Sequence, residues 1–297
     1  MIVKSLKDPL LSILLTGGEP FLREDLVQIC EIFDKYNKTS KVIIPTNGYL
    51  SELIFKKTKE ILNKTNLSVE VIVSIDGFEK TSAKTRGLKG IFKKYEKTIN
   101  LLKKIKNNRL LVSITTTVSK ENYDEIIDLV DFNNMNWKIP HKIQYVRSYN
   151  EVYNLDPKIL AKFSQKDEDY MLPTFEKIKK LNEILKKKVK EKTVSVRLNN
   201  LERDIVLDIL KNKKKRMFCV AGIYDGVIFP NGEVSLCELT LPFGNLKETD
   251  YDFYKLWNSK KANKMREKIK NCVCTHDCNL FDSMTHNKKI LFKIFEK

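Results

Sequence analysis

Five times in the first 150 residues, a short apolar run stops abruptly at glycine or polar residues. The runs span 11–16, 41–45, 69–75, 110–118 and 142–146. Between them lie segments with helical periodicity, beginning near Asp25, Ser51, Ile91 and Asn122. In the first segment Leu26, Ile29, Cys30 and Phe33 share one helical face, which assigns Cys30 to the core. In the third, Ile91, Tyr95, Ile99, Leu102 and Ile105 recur at the same spacing. Strands alternating with helices predict an α/β fold with a parallel sheet or barrel.

Functional groups in such folds gather at the carboxyl ends of the strands. The exits here are Gly17-Gly18-Glu19-Pro20, Thr46-Asn47-Gly48, Ser74 with Asp76-Gly77, Thr115 to Thr117, and Arg147-Ser148. One polar exit proves little, because connecting loops are polar in any protein. Five in register predict a common ligand mouth. The first run, Leu11-Ser12-Ile13-Leu14-Leu15-Thr16, reads as a strand buried on both faces. Its paired glycines allow positive φ and close approach of a ligand. The carboxylate of Glu19 is placed to meet a cationic group of that ligand.

The 297 residues are 42% hydrophobic with sparse glycine and proline, enough for a sizeable core and too little for long linkers. The first nine residues lack the apolar core and cleavage site of a signal peptide, and no run reaches membrane-span length. A cytoplasmic protein is expected, in which cysteines serve as metal ligands or core residues. The formal charge of +17 comes mostly from lysines spread along helices, without interleaved aromatic residues. That pattern describes a solvated surface and not a nucleic-acid-binding one. An acidic substrate or partner remains compatible with it.

Residues 150–216 carry few chemical signals beyond helical segments at 176–192 and 200–211. The basic run Lys213-Lys214-Lys215-Arg216 precedes a change in composition. The expected organisation is a core at 1–150, a helical extension at 151–215 and a cysteine-rich domain at 216–297. Five of the six cysteines fall in that last segment, as Cys219-x17-Cys237 and Cys272-x-Cys274-x3-Cys278. Asn231-Gly232 between apolar runs predicts a hairpin that returns Cys237 towards Cys219. Convergent thiolates suit either zinc or an iron–sulfur cluster. His276 is a zinc ligand in the first case and a loop residue in the second. Five thiols exceed a four-ligand site, and Cys272 or Cys274 is the spare.

Taken together, the two halves resemble radical S-adenosylmethionine enzymes with a C-terminal SPASM- or twitch-like auxiliary-cluster domain. The first-half match is Thr16-Gly-Gly-Glu-Pro-Phe-Leu-Arg23, Pro45-Thr-Asn-Gly48, Val73-Ser-Ile-Asp-Gly77 and Arg86-Gly87. The second-half match is Cys219-Val-Ala-Gly222, Ile228-Phe-Pro-Asn-Gly-Glu-Val234, Cys237-Glu238, Phe243-Gly-Asn-Leu246 and the final cysteine group. The resemblance implies a partial (β/α)6 TIM-like barrel that binds S-adenosylmethionine across its mouth. Gly17, Gly18 and Glu19 would hold the methionyl ammonium. Thr46, Asn47, Ser74 and Asp76 would lie near the nucleoside or methionyl part, and Arg86 would face the carboxylate or an intermediate. Cys219, Cys237, Cys274 and Cys278 would hold an auxiliary [4Fe–4S] cluster, with Cys272 as competing ligand. The implied chemistry is oxidoreductase chemistry, in which a 5′-deoxyadenosyl radical abstracts hydrogen from a peptide or small-molecule substrate. An electron donor is the implied partner.

The chain departs from the family in one respect. Members carry a Cys-x3-Cys-x2-Cys loop before the Gly-Gly-Glu-Pro strand, whereas the 15 residues before Thr16 contain no cysteine. A barrel lacking its first strand is expected, inactive alone, with a catalytic [4Fe–4S] cluster only if the missing N-terminal segment is supplied. A fragment, a split protein and a degenerate member each account for this. The alternative function is a non-catalytic metal-binding interaction protein, holding zinc or a single iron–sulfur cluster.

Overall fold

The computed structural model describes residues 1–146, 152–161, 172–188 and 193–295. The exit Arg147-Ser148 and the end of the lysine-rich helix beyond Lys188 lie outside them. Two compact units result, Met1–Gln144 and Tyr145–Lys297.

The first unit opens with a single helical turn, α1 (Ile2–Ser5), and then runs β1 (Ser12–Leu14), α2 (Leu26–Asn37), β2 (Lys41–Thr46), α3 (Ser51–Lys64), β3 (Ser68–Ser74), α4 (Glu79–Arg86), α5 (Ile91–Lys103), β4 (Leu110–Val118), α6 (Ile126–Phe132) and β5 (His141–Tyr145). The strands form one sheet in the order β1-β2-β3-β4-β5. The first three pairings are parallel, with Ile13 opposite Val42, Ile44 opposite Val71 and Val73 opposite Ile114. Spatial order equals chain order, so every crossover has the same sense and the sheet curls into a half-barrel. The expected α/β partial barrel is therefore the observed fold.

The strands alternate in burial. Val42 and Ile44 of β2, Val69, Val71 and Val73 of β3, and Val112 and Ile114 of β4 are buried. They belong to two apolar clusters that also take in Cys30 of α2, Ile54 and Ile61 of α3, and Tyr95, Ile99 and Leu102 of α5. Each fully buried aliphatic side chain contributes roughly 1.5–3 kcal/mol. The intervening residues Ile43, Pro45, Ile72, Ser74, Thr115 and Thr117 are half-buried and form the other face. Near its amino end this face carries an ion pair, Lys41 to Glu70 at 2.5 Å, with the Ser113 hydroxyl donating to the same carboxylate at 3.0 Å.

The reading of the first run as buried on both faces is wrong. Only Ile13 of β1 is buried, while Leu11 is 78% and Leu14 49% exposed. The physical reason is that β1 is the edge of the described sheet and is covered by helices on one face alone.

Helix α4 depends on a distant carboxylate. Glu125 accepts from the Phe78 backbone N–H at 2.8 Å and the Thr81 hydroxyl at 2.5 Å, capping the first turn. Gly77 makes this approach possible. A Cβ there would lie 2.5 Å from Glu125 Oε2 and 2.8 Å from Thr81 Cβ.

The second unit contains α7 (Phe175–Lys188), α8 (Val194–Asn212), β6 (Val227–Ile228), β7 (Glu233–Ser235), β8 (Gly244–Asn245) and helices α9 (Phe253–Trp257), α10 (Lys260–Ile269), α11 (Asp277–Thr285) and α12 (Lys288–Phe295). Helix α8 starts six residues earlier than position 200, at Val194, after Thr193, whose hydroxyl accepts from the Val196 N–H. Strands β6, β7 and β8 form a small antiparallel sheet. The Asn231-Gly232 turn joins β6 to β7 as expected, with Gly232 at φ +87° and its N–H donating to the Phe229 carbonyl at 2.9 Å. Among the described residues no helix is long and apolar enough to cross a membrane.

Candidate functional site

The carboxyl ends of the half-barrel strands carry a hydrogen-bonded polar rim. At the exit of β1, Thr16, Gly17 and Gly18 are exposed. Gly17 has φ +150°, and no atom lies within 4 Å of where a Cβ on either glycine would project. A ligand can therefore reach the backbone here. The Glu19 carboxylate is committed to the protein. It accepts from the Thr46 hydroxyl at 2.9 Å, the Asn47 N–H at 2.8 Å and the Phe21 N–H at 3.3 Å. These bonds tie the exit of β1 to that of β2. Asn47 then holds its own turn, accepting from the Tyr49 N–H at 2.9 Å.

The exits of β3 and β4 are joined in the same way. Asp76 Oδ1 accepts from the Thr117 N–H at 3.1 Å. The Asn122 side chain donates to the carbonyls of Asp76 and Thr117, both at 2.8 Å. Asp76 Oδ2 pairs with Arg86 at 2.6 Å. Ser74 stands opposite Thr115, both half-buried. Thus Gly17, Gly18, Glu19, Thr46, Asn47, Ser74 and Asp76 lie at strand exits of one sheet, and Arg86, at the end of α4, reaches the exit of β3 through Asp76. The rim offers an open backbone, backed by the charge of the hydrogen-bonded Glu19, for a cation, a guanidinium edge for an anion, and hydroxyl and amide groups for neutral polar atoms. Such a set suits a zwitterionic ligand bearing hydroxyls.

The second candidate site is the thiol pocket of the C-terminal unit. The hairpin brings Cys237 near Cys219, and the loop before α11 brings Cys272 and Cys274 to both. Cys237 is buried, Cys219, Cys272 and Cys274 are half-buried, and Cys278, in the first turn of α11, is exposed. Burial pushes the Cys237 thiol up to about 12 and raises that of Cys219. Cys272 hydrogen-bonds to Cys274, which raises the first and lowers the second. A cavity of about 40 Å³ adjoins Cys219, Cys272 and Cys274, with Lys215 and Arg216 on its wall. Among the described residues no three His, Cys, Asp or Glu side chains are gathered as ligands of one metal ion.

His276 does not present itself as a zinc ligand. It is buried, and both ring nitrogens are used, Nε2 with Glu238 at 2.6 Å and Nδ1 with the Asn279 side-chain oxygen. Asn279 is the hub of this network. Its oxygen also accepts from Cys237 Sγ at 3.4 Å, and its amide donates to Asp225 at 2.8 Å. Burial raises the Asp225 carboxyl to about 6. Sequence reasoning missed Asn279, Asp225 and Asn122. The one available hint was that Asn279 directly follows Cys278.

Comparison with known proteins matches residues 1–132 to the radical SAM superfamily and residues 219–279 to an iron–sulfur cluster-binding domain, SPASM. GTP 3′,8-cyclase of Helicobacter pylori (strain HPAG1) is 32% identical over 119 residues, 40% of this chain and 35% of that protein. Fe-coproporphyrin III synthase of Methanosarcina barkeri is 33% identical over 120 residues, 40% of this chain and 28% of that one. The chain spans about a third of the length of these relatives. Among solved structures, anSMEcpe with bound AdoMet and the Cp18Cys peptide superposes with a TM-score of 0.55 at 19% identity, covering 89% of this chain and 72% of that one. SuiB of Streptococcus suis bound to S-adenosylmethionine gives 0.53 at 20% identity, covering 93% and 62%. These two likenesses are likenesses of fold.

Proposed function

The chain belongs to the radical S-adenosylmethionine superfamily and carries an iron–sulfur cluster-binding domain of the SPASM type, and on that premise we propose that it binds S-adenosylmethionine at the half-barrel mouth and an auxiliary [4Fe–4S] cluster on its C-terminal thiols. The substrate class is a peptide or a small molecule. The fold likeness to a peptide-bound anSMEcpe supports the first, and the sequence likeness to GTP 3′,8-cyclase the second. An external electron donor and a cytoplasmic setting complete the proposal.

The observation that carries it is the bonded rim of strand exits, which sets a cation-accepting and an anion-accepting group on one sheet. The fit to S-adenosylmethionine has a specific sign. Arg86 holds Asp76 through one nitrogen while part of its side chain stays open to a ligand anion, and its buried Nε completes no hydrogen bond. Gly17 and Gly18 expose backbone to the ammonium, and Glu19 adds its charge while keeping the β1 and β2 exits together. Thr46, Asn47, Ser74 and Asp76 line the nucleoside and methionyl parts, and Arg86 meets the carboxylate. One-electron cleavage of S-adenosylmethionine, followed by hydrogen abstraction, is the chemistry that the superfamily's cofactors supply.

The thiols fit an auxiliary cluster for a different reason. Cys219, Cys237, Cys272 and Cys274 are neighbours, and thiolates are the ordinary ligands of such clusters. Lys215 and Arg216 favour the negative charge of a thiolate-bound cluster. Cys219, Cys237, Cys274 and Cys278 are the ligands, with Cys272 as competitor.

Anaerobic purification and reconstitution of the full chain test both parts. Iron and acid-labile sulfide bound to the wild type, and equilibrium binding of S-adenosylmethionine, are the expected results. Zinc without iron or sulfide sinks the cluster assignment. Tight S-adenosylmethionine binding that never leads to cleavage, even with a segment bearing the Cys-x3-Cys-x2-Cys loop, iron, sulfide and a reductant supplied, favours a non-catalytic binding protein.

A further inference from the structure

Arg86 Nε is not the only polar atom left unpaired at the exit of β3. The Tyr95 hydroxyl is also sealed from solvent and completes no hydrogen bond of good geometry, although Ser82 and Arg86 both stand within hydrogen-bonding reach of it. Native structures seldom bury such groups unpaired, and each case calls for an explanation.

Tyr95 sits on α5 and is fully buried. One side of its ring supports the turn that ends β2. A Cβ on Gly48 would fall 3.0 Å from Tyr95 Cδ1 and 2.9 Å from Val73 Cγ1. On the same helix face, the Thr98 hydroxyl donates to the Gly48 carbonyl at 2.6 Å and so fixes the turn from below. The far end of Tyr95 reaches the exit of β3, where Arg86 pairs with Asp76 at 2.6 Å. One side chain thus touches both of the exits that carry Thr46-Asn47 and Asp76 with Arg86. The Arg86 side chain is 30% exposed, so part of its guanidinium remains open to a ligand.

We propose that Tyr95 is a positioning residue for the S-adenosylmethionine site, its ring setting the Asn47-Gly48 turn and its hydroxyl serving as the acceptor that steadies Arg86 Nε–H. The donor and acceptor needed are both present, both buried and adjacent. A modest turn of the guanidinium joins them, and a ligand anion drawing on its exposed edge provides the reason to turn. The inference rests on the reading of this mouth as an S-adenosylmethionine site.

Tyr95→Phe tests it, because the substitution keeps the ring and deletes only the hydroxyl. Two readouts are made on the full-length, iron–sulfur-reconstituted protein. The first is the ¹⁵N–¹H signal of Arg86 Nε in protein saturated with S-adenosylmethionine, assigned by its loss in Arg86→Lys. It is expected to shift and to exchange faster with water in Tyr95→Phe. The second is equilibrium binding of S-adenosylmethionine, expected to weaken about fivefold for one lost hydrogen bond, with no fall in melting temperature. Ile99→Val, a core change on the same helix, controls for loosened packing and is expected to leave affinity unchanged. Wild-type binding with unaltered affinity in Tyr95→Phe overturns this inference alone. An equal loss of affinity in Ile99→Val also overturns it, because the effect is then one of packing. Absence of binding by the wild type overturns the reading of the mouth together with it.

Discussion

The half-barrel mouth and the thiol pocket are polar sites completed to different degrees. At the mouth, protein groups satisfy one another. Glu19 takes three donors, Asp76 takes a backbone N–H and a guanidinium, and Asn122 closes two carbonyls. The rim stands without a guest, save for the Arg86 and Tyr95 atoms left over. In the thiol pocket, burial favours the neutral form of Cys219 and Cys237. Thiolate ligation therefore needs an ion whose charge replaces those protons. The lesson is that a site built from backbone and amide hydrogen bonds can be preformed, whereas one built from thiols needs its metal to be finished.

The largest effect expected from this contrast is in the second unit. Cys237→Ser should cut the iron and sulfide retained by the reconstituted auxiliary site by more than about tenfold, measured by metal and sulfide analysis. The first unit should keep its S-adenosylmethionine affinity. Loss of both breaks the distinction. Next comes Gly77→Ala, which presses a methyl against Glu125 and Thr81 and disturbs the cap of α4. Overpacking of this kind costs about 1–3 kcal/mol and is read from a chemical denaturation curve. Glu19→Gln is milder, because an amide keeps the shape but replaces one acceptor oxygen by a donor facing donors. A loss of about 1–2 kcal/mol is expected, with the same denaturation measurement as check. An unchanged curve would mean that the rim is not held by Glu19. The smallest effect is that of Leu11→Ser, within about 0.5 kcal/mol, since the side chain is mostly in water. A loss several times larger restores the double-faced burial that the sequence suggests.

Much of the half-barrel was legible from local pattern. Short apolar runs mark β2 and β3, and apolar residues recur at helical spacing in α2 and α5, so each element's type follows from the residues within it. The polar exits were equally legible, because glycine, asparagine and threonine interrupt those patterns abruptly. Other features depend on partners far away in the chain. Glu125 caps a helix 47 residues before it, and no local signal marks it. His276 is disarmed as a metal ligand by Glu238, 38 residues earlier. Tyr95 was hidden because it shares the apolar face of Ile91 and Ile99 and reads as core, which its ring is. Leu11 and Leu14 misled for the opposite reason. Their apolar character is local, but their exposure depends on what flanks the strand.

The amino-acid sequence by itself determined the alternation of strand and helix, the glycine-rich exit at Gly17-Gly18, the hairpin at Asn231-Gly232 and the grouping of five cysteines after position 216. These depend on backbone preference and short-range periodicity, which act within a few residues. Tertiary structure alone decided that Glu19 is spent on Thr46 and Asn47, that Asp76 holds Arg86, that His276 is fully engaged, and that Tyr95 bridges two exits. Hydrogen bonding and burial are pairwise and distance-dependent, so the role of a polar side chain is settled only when the chain brings its partner within about 3 Å.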